Sequence, residues 1–153
     1  MSEKEKTMGI TKITWKQGLA FDVDLLGYTF KIDADEEFGG KGYGPVPKPL
    51  VLSALAGCTG MDVVAILNKM QIPFEGFQVE VDGELTSEHP KVYHSIRIQY
   101  KFEGPRLELE KIQKAIKLSL DKYCGVAAML KKTAAITYEV YLNGERVAGP
   151  SAA

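Results

Sequence analysis

The sequence predicts an α+β fold, with antiparallel sheets packed on a long central helix that is buried on every side. Period-2 alternation on both sides of an apolar run from Leu50 to Leu67 indicates the strands and the central helix. A second stretch, residues 107–123, repeats at spacings of three and four and indicates an amphipathic helix. Of the 153 residues, 45% are hydrophobic and 25% charged, proportions that suit a globular chain with a core. One domain over residues 1–153 is expected, with residues 1–8 and 145–153 as flexible tails.

Residues 10–33 are expected to form a meander of short strands. Leu19, Phe21, Val23 and Leu25 alternate with polar or small residues, Gly18 and Gly27 punctuate the run, and Tyr28, Phe30 and Ile32 repeat the pattern. The segment Asp33 to Pro49 is acidic at first and then rich in glycine and proline, which suits a loop wrapping a site. Pro49 falls where the first turn of a helix tolerates proline.

From Leu50 to Leu67 only Asp62 is charged, and apolar residues occur on all faces. A helix of that kind needs cover all round. Its length approaches that of a membrane span. Ser53, Gly57, Thr59, Gly60 and Asp62 dilute the run, so a core helix is expected and no membrane partner. A domain of this size has little material to cover both sides, and a second copy in a twofold dimer is the simplest cover.

Beyond Pro73, Phe77, Val79 and Val81 alternate, as do Ile96, Ile98, Tyr100 and Phe102. The turn residues between them predict an antiparallel hairpin. In the second helix Leu109, Ile112, Ile116, Leu120 and Tyr123 form one stripe. Gly125 interrupts it, Val126 to Lys132 suit one or two further turns, and Ile136 to Leu142 suit a last strand before Asn143 and Gly144.

With 19 Lys+Arg against 20 Asp+Glu, the chain lacks the basic footprint of a nucleic-acid binder, so a small or neutral partner is expected. Met1 to Thr7 is polar and contains no signal-peptide stretch, which points to the cytoplasm, where thiols are kept reduced. Two cysteines in such a compartment are either buried and inert or redox-active.

Cys58 lies in the middle of the apolar helix, with Gly57 and Gly60 beside it, glycines that commonly mark a close approach. Asp62, at i+4, shares its face. A free cysteine often packs as a small hydrophobe. Cys124 ends the stripe of the second helix next to Gly125, and a helix starting there would favour its thiolate through the dipole. Both sit on inward-facing helical surfaces, so they can meet. A structural zinc takes about four ligands. The only histidines, His89 in a turn and His94 at a strand start, do not complete such a set, so no metal or other cofactor is expected. The 66 positions between the cysteines exclude a thioredoxin-type pair.

The motif from Gly44 to Pro49, the run Leu50 to Val64 with its Ala-Gly-Cys-Thr-Gly-Met-Asp centre, and Lys122 to Val126 together resemble the OsmC/Ohr family, osmotically inducible protein C and organic hydroperoxide resistance protein. The resemblance extends from about residue 8 to residue 143. It implies an intertwined homodimer and thiol peroxidase activity on organic hydroperoxides. By that analogy Cys58 attacks the peroxide and becomes a sulfenic acid, Cys124 resolves it as a disulfide, and a lipoyl or thioredoxin-like dithiol protein reduces the pair. The family arginine and glutamate that activate the thiolate are replaced here by Lys16 and by Lys48 or Pro49. Lysine lacks the guanidinium fork but can supply a positive charge, which makes Lys16 a candidate for thiolate activation. The competing reading is a non-catalytic dimeric module that binds a small hydrophobic or acidic molecule, its cysteines serving as packing.

Overall fold

The computed structural model describes residues 9–153, so the first expected tail, residues 1–8, lies outside the described residues. The chain forms two compact units, which divide between Val51 and Leu52.

The first unit holds a three-stranded antiparallel meander, β1 (Thr11–Gln17), β2 (Ala20–Leu25) and β3 (Tyr28–Ile32). Register places Ile13 opposite Val23 and Val23 opposite Phe30, with Trp15, Phe21 and Ile32 in the next row. One face is therefore apolar throughout, as the alternation predicts. The other carries Lys12, Lys16, Asp22, Asp24 and Lys31, where Asp22 pairs with Lys31 at 2.6 Å and with Lys16 at 3.4 Å. The β2–β3 turn is made by Leu26 and Gly27, both at positive φ (55° and 88°), which suits a tight two-residue hairpin.

After β3 the chain closes on itself around Asp33. Its buried carboxylate accepts backbone N–H groups of Ala34 (2.8 Å), Lys41 (2.9 Å) and Tyr43 (3.2 Å). Those hydrogen bonds, that from Lys41 foremost, hold the carboxyl below its ordinary range against the cost of burial. The loop glycines have a specific cause here: a Cβ on Gly40 would lie 1.7 Å from the Ala34 carbonyl oxygen, and one on Gly44 would lie 2.1 Å from that of Lys31.

The second unit is built on α1 (Leu50–Lys69) and a four-stranded sheet in the order β4 (Gly76–Leu85), β5 (Tyr93–Glu103), β6 (Ala135–Leu142) and β7 (Glu145–Ala152). The helix α2 (Leu109–Leu118), a five-residue π turn (Ser119–Tyr123) and α3 (Gly125–Leu130) connect β5 to β6. The α+β class with two sheets and a central helix matches the expectation. One pairing departs from the antiparallel pattern: β5 and β6 run parallel, Ser95 opposite Ala135 through Phe102 opposite Leu142. The helical connection returns the chain to the starting edge of β5, which imposes that direction.

Residues 145–153 were expected as a tail, but they are mostly β7, paired antiparallel with β6. Asn143 and Gly144, both at positive φ (49° and 85°), turn the chain back on itself. Hairpin geometry thus captures a segment whose own composition suggests no strand.

The core joins Leu55, Val63 and Leu67 of α1 to Ile96, Ile98, Tyr100 and Phe102 of β5 and to Ile112, Ala115 and Ile116 of α2. Gly60 makes the close approach that its type suggests, because a Cβ there would meet Val79 at 3.4 Å. At Gly57 no described residue would meet a Cβ within 4 Å. Among the described residues, the central helix is not enclosed on every side. Leu55, Thr59, Gly60, Val63 and Leu67 are buried, while Met61 on the opposite side is 75% exposed.

Candidate functional site

Cys58 and Asp62 are one turn apart on α1, and Cys124 stands at the junction of the π turn and α3. The two sulfurs and a carboxylate oxygen of Asp62 all lie within 4.8 Å of one another. Sequence spacing placed Cys58 and Asp62 on one face; the fold brings in Cys124. Cys58 is half-buried and Cys124 is 3% exposed, both as free thiols.

The π turn is the local device that aims Cys124 inward. Its closing hydrogen bond runs from the Cys124 N–H to the Ser119 carbonyl, an i to i+5 bond of 2.7 Å. The wider turn shifts the register of the helical stripe. Tyr123, expected on the apolar stripe, is therefore exposed, and Cys124 takes the inward place. Cys124 then caps α3, its sulfur accepting the Ala127 N–H at 3.4 Å.

That amide favours a thiolate, as the helix-start argument anticipates, yet it is outweighed. Burial pushes the Cys124 thiol up to about 11, and neighbouring Cys58 and Asp62 add to the rise against the Ala127 amide. At neutral pH Cys124 is protonated.

Behind the thiols runs a buried chain of hydroxyls. Tyr100 and Thr59 are 2.7 Å apart, Thr59 and Ser119 2.9 Å, and Ser119 donates to Asp62 Oδ2 at 2.9 Å. A carboxylate only accepts, so the Ser119 proton points to Asp62. Thr59 then donates to Ser119, and Tyr100 donates to Thr59. Every donor runs one way and ends on the carboxylate. Burial, above all, raises the Tyr100 phenol well above its ordinary value, which keeps it a donor. This chain was not read from the sequence. Its signal was present as hydroxyl residues, Thr59 and Ser119, at inward positions of otherwise apolar helices.

Lys16 is in the first unit, on the polar face of β1, where Asp22 is its partner. His89 is exposed in the β4–β5 turn, and His94 lies on β5 beside Glu84 at 3.8 Å; neither joins the cysteines. Cys58, Asp62 and Cys124 alone offer three ligand atoms, one short of the usual structural zinc set. A cavity of about 460 Å³ opens beside Asp62, with Ile66, Met70 and Leu118 as apolar wall and Lys69 and Lys114 as its cations.

Comparison with known proteins follows the same outline. Protein YhfA of Escherichia coli K12 is 33% identical over 132 residues, 84% of this chain and 96% of that protein. A hypothetical protein from Aquifex aeolicus VF5 superposes with a TM-score of 0.74 at 27% identity, covering 88% of this chain and 96% of its own. An organic hydroperoxide resistance protein from Elizabethkingia anophelis shares the fold alone, with a TM-score of 0.69 at 14% identity over 90% of this chain and 99% of that one. The OsmC-like protein family model matches residues 39–139, a span that holds both cysteines and Asp62, and the chain therefore belongs to the OsmC-like family.

Proposed function

We propose that this protein is a cytoplasmic, homodimeric thiol peroxidase that reduces organic hydroperoxides. The observation that carries the reading is the meeting of Cys58 and Cys124, 66 positions apart in sequence, with their sulfurs within 4.8 Å. A disulfide requires that separation to close to about 2.05 Å.

The more exposed sulfur, Cys58, takes the first step as a thiolate. It attacks the terminal oxygen of the hydroperoxide, the O–O bond breaks, and the alkoxide leaves as alcohol by taking from water the proton that Cys58 released on ionising. Cys58 is then a sulfenic acid. The Cys124 sulfur displaces hydroxide from it, giving the disulfide and water. A dithiol protein of lipoyl or thioredoxin type returns both thiols by exchange. Lys16 as the cation favouring the Cys58 thiolate belongs to the same proposal. The organic hydroperoxide resistance name of a structural neighbour supports the substrate class.

Two uncovered apolar surfaces support a dimer. The apolar face of the meander leaves Trp15 62% and Tyr28 80% exposed, and α1 leaves Met61 outward beside the vacant space at Gly57. A second copy offers each surface the cover that a soluble chain requires.

The test is mass spectrometry of the reduced protein after one equivalent of tert-butyl hydroperoxide. Loss of two hydrogens within one chain supports the peroxidase, and Cys58→Ser abolishes it. An unchanged mass, or undiminished peroxide consumption by Cys58→Ser, removes the reading. It would favour a binding module instead, for which the cavity with Lys69 and Lys114 over an apolar wall supplies a site for an acidic amphiphile.

A further inference from the structure

We infer that Asp62 is the proton acceptor for Cys124 when the disulfide closes, held for that task by the Ser119–Thr59–Tyr100 hydroxyl chain. The inference rests on the peroxidase reading and assigns a role that the reading leaves open. Closure needs the Cys124 sulfur as a thiolate, and its surroundings keep it a thiol at neutral pH. A base must therefore stand within reach of both sulfurs. The Asp62 carboxylate is that group: one of its oxygens lies within 4.8 Å of both sulfurs, a span that one bridging water relays.

The step balances. The S–H proton of Cys124 moves to Asp62, the Cys124 sulfur attacks the Cys58 sulfur, and the S–O bond breaks. The departing hydroxide takes the proton from Asp62 and leaves as water, so the carboxylate is regenerated. Ser119 donates to Oδ2, which orients the carboxylate and leaves it lone pairs to accept a further proton. Thr59 and Tyr100 fix Ser119 in turn. The other titratable groups around the site are Cys58 on α1, Tyr100 and Tyr138 from the sheet, Tyr123 from the π turn, and Lys69 and Lys114 at the neighbouring cavity. Tyr100 titrates above its ordinary range and is no base near neutrality.

The experiment follows sulfenic acid and disulfide separately in Asp62→Asn, after one equivalent of tert-butyl hydroperoxide, with a 1,3-diketone trap and mass spectrometry. At pH 7 the expected result is that sulfenic acid still forms at Cys58 while closure is slowed about 100-fold, the size of a lost general base. The closure rate should climb back toward the parent as pH approaches 11, where Cys124 ionises unaided. Ser119→Ala should show the same pH-dependent defect at smaller size, and Ser119→Thr should restore it. Parental closure in Asp62→Asn at pH 7, or a defect equal at every pH, overturns the role of Asp62 while leaving the peroxidase intact. A parent protein forming neither sulfenic acid nor disulfide removes both.

Discussion

Thr59 Oγ1 and Ser119 Oγ lie 2.9 Å apart, buried from solvent, although 60 positions separate them in the chain. The bond ties the cysteine-bearing helix to the π turn that presents the other cysteine. It serves as a clamp between the two halves of the site. Inside the core each hydroxyl relies on the other, together with Tyr100 or Asp62, to offset its desolvation.

Thr59→Val keeps the shape and removes the clamp. Tyr100 and Ser119 each lose a buried partner, so unfolding in urea should show about 1–3 kcal/mol lost stability. Tyr100→Phe removes only the terminal donor and should cost about 0.5–1.5 kcal/mol. Equal, negligible losses in both would mean that water replaces the chain.

Cys124 should titrate late. Its thiol rises from 9.0 to about 11 in the folded chain, so the folded state holds its proton more tightly than the unfolded state does. The stability this contributes is present below about pH 9 and is lost as pH climbs toward about 11. Thermal melts from pH 8 to 11 should fall more steeply for the parent than for Cys124→Ser. Native alkylation at pH 7.5 should modify Cys58 before Cys124.

Gly57 offers a test of the proposed dimer. Alanine there meets nothing within 4 Å among the described residues and improves helix propensity by about 1 kcal/mol. A larger Gly57→Leu change should weaken the proposed dimer about tenfold, since overpacking costs about 1–3 kcal/mol and tenfold corresponds to about 1.4. Sedimentation across a dilution series reads the dissociation constant. A parent that sediments as a monomer at every concentration would remove the dimer.

Asp33 governs the loop that precedes the central helix. Its depressed titration means that the three amide bonds are secure at neutral pH and are lost only as pH falls through the lowered value, below 3.8. Asp33→Asn should expose the Lys41 and Tyr43 amides to faster hydrogen exchange at pH 7, with the meander unchanged.

Lys16 shares Asp22 with Lys31, so Lys16→Met leaves that carboxylate paired. Folding should be unaffected. A several-fold drop in the rate of Cys58 oxidation would assign Lys16 its electrostatic role, and an unchanged rate would remove it.

Periodicity made most elements legible. The alternation of Ile96, Ile98, Tyr100 and Phe102 and the apolar run of α1 each reflect a single local rule, so they read directly. Three features escaped because they depend on partners distant in sequence. The parallel β5–β6 pairing follows from where a helical connection ends, which no window of residues reveals. The strand β7 exists because a hairpin carries it to β6. The π turn breaks a stripe that looks continuous through Tyr123, and only the hydrogen bond from Cys124 to Ser119 shows the shift. Likewise the two cysteines read as candidates, while the hydroxyl chain beside them needed the packed core to appear.

The crossover between β5 and β6 also holds the site together. Cys124 is held beside Cys58 because the parallel strands anchor both ends of the segment that bears it. An unfolded chain brings two sulfurs 66 positions apart together only in passing, as loop closure dictates. Lasting proximity of the thiols therefore reports a folded chain.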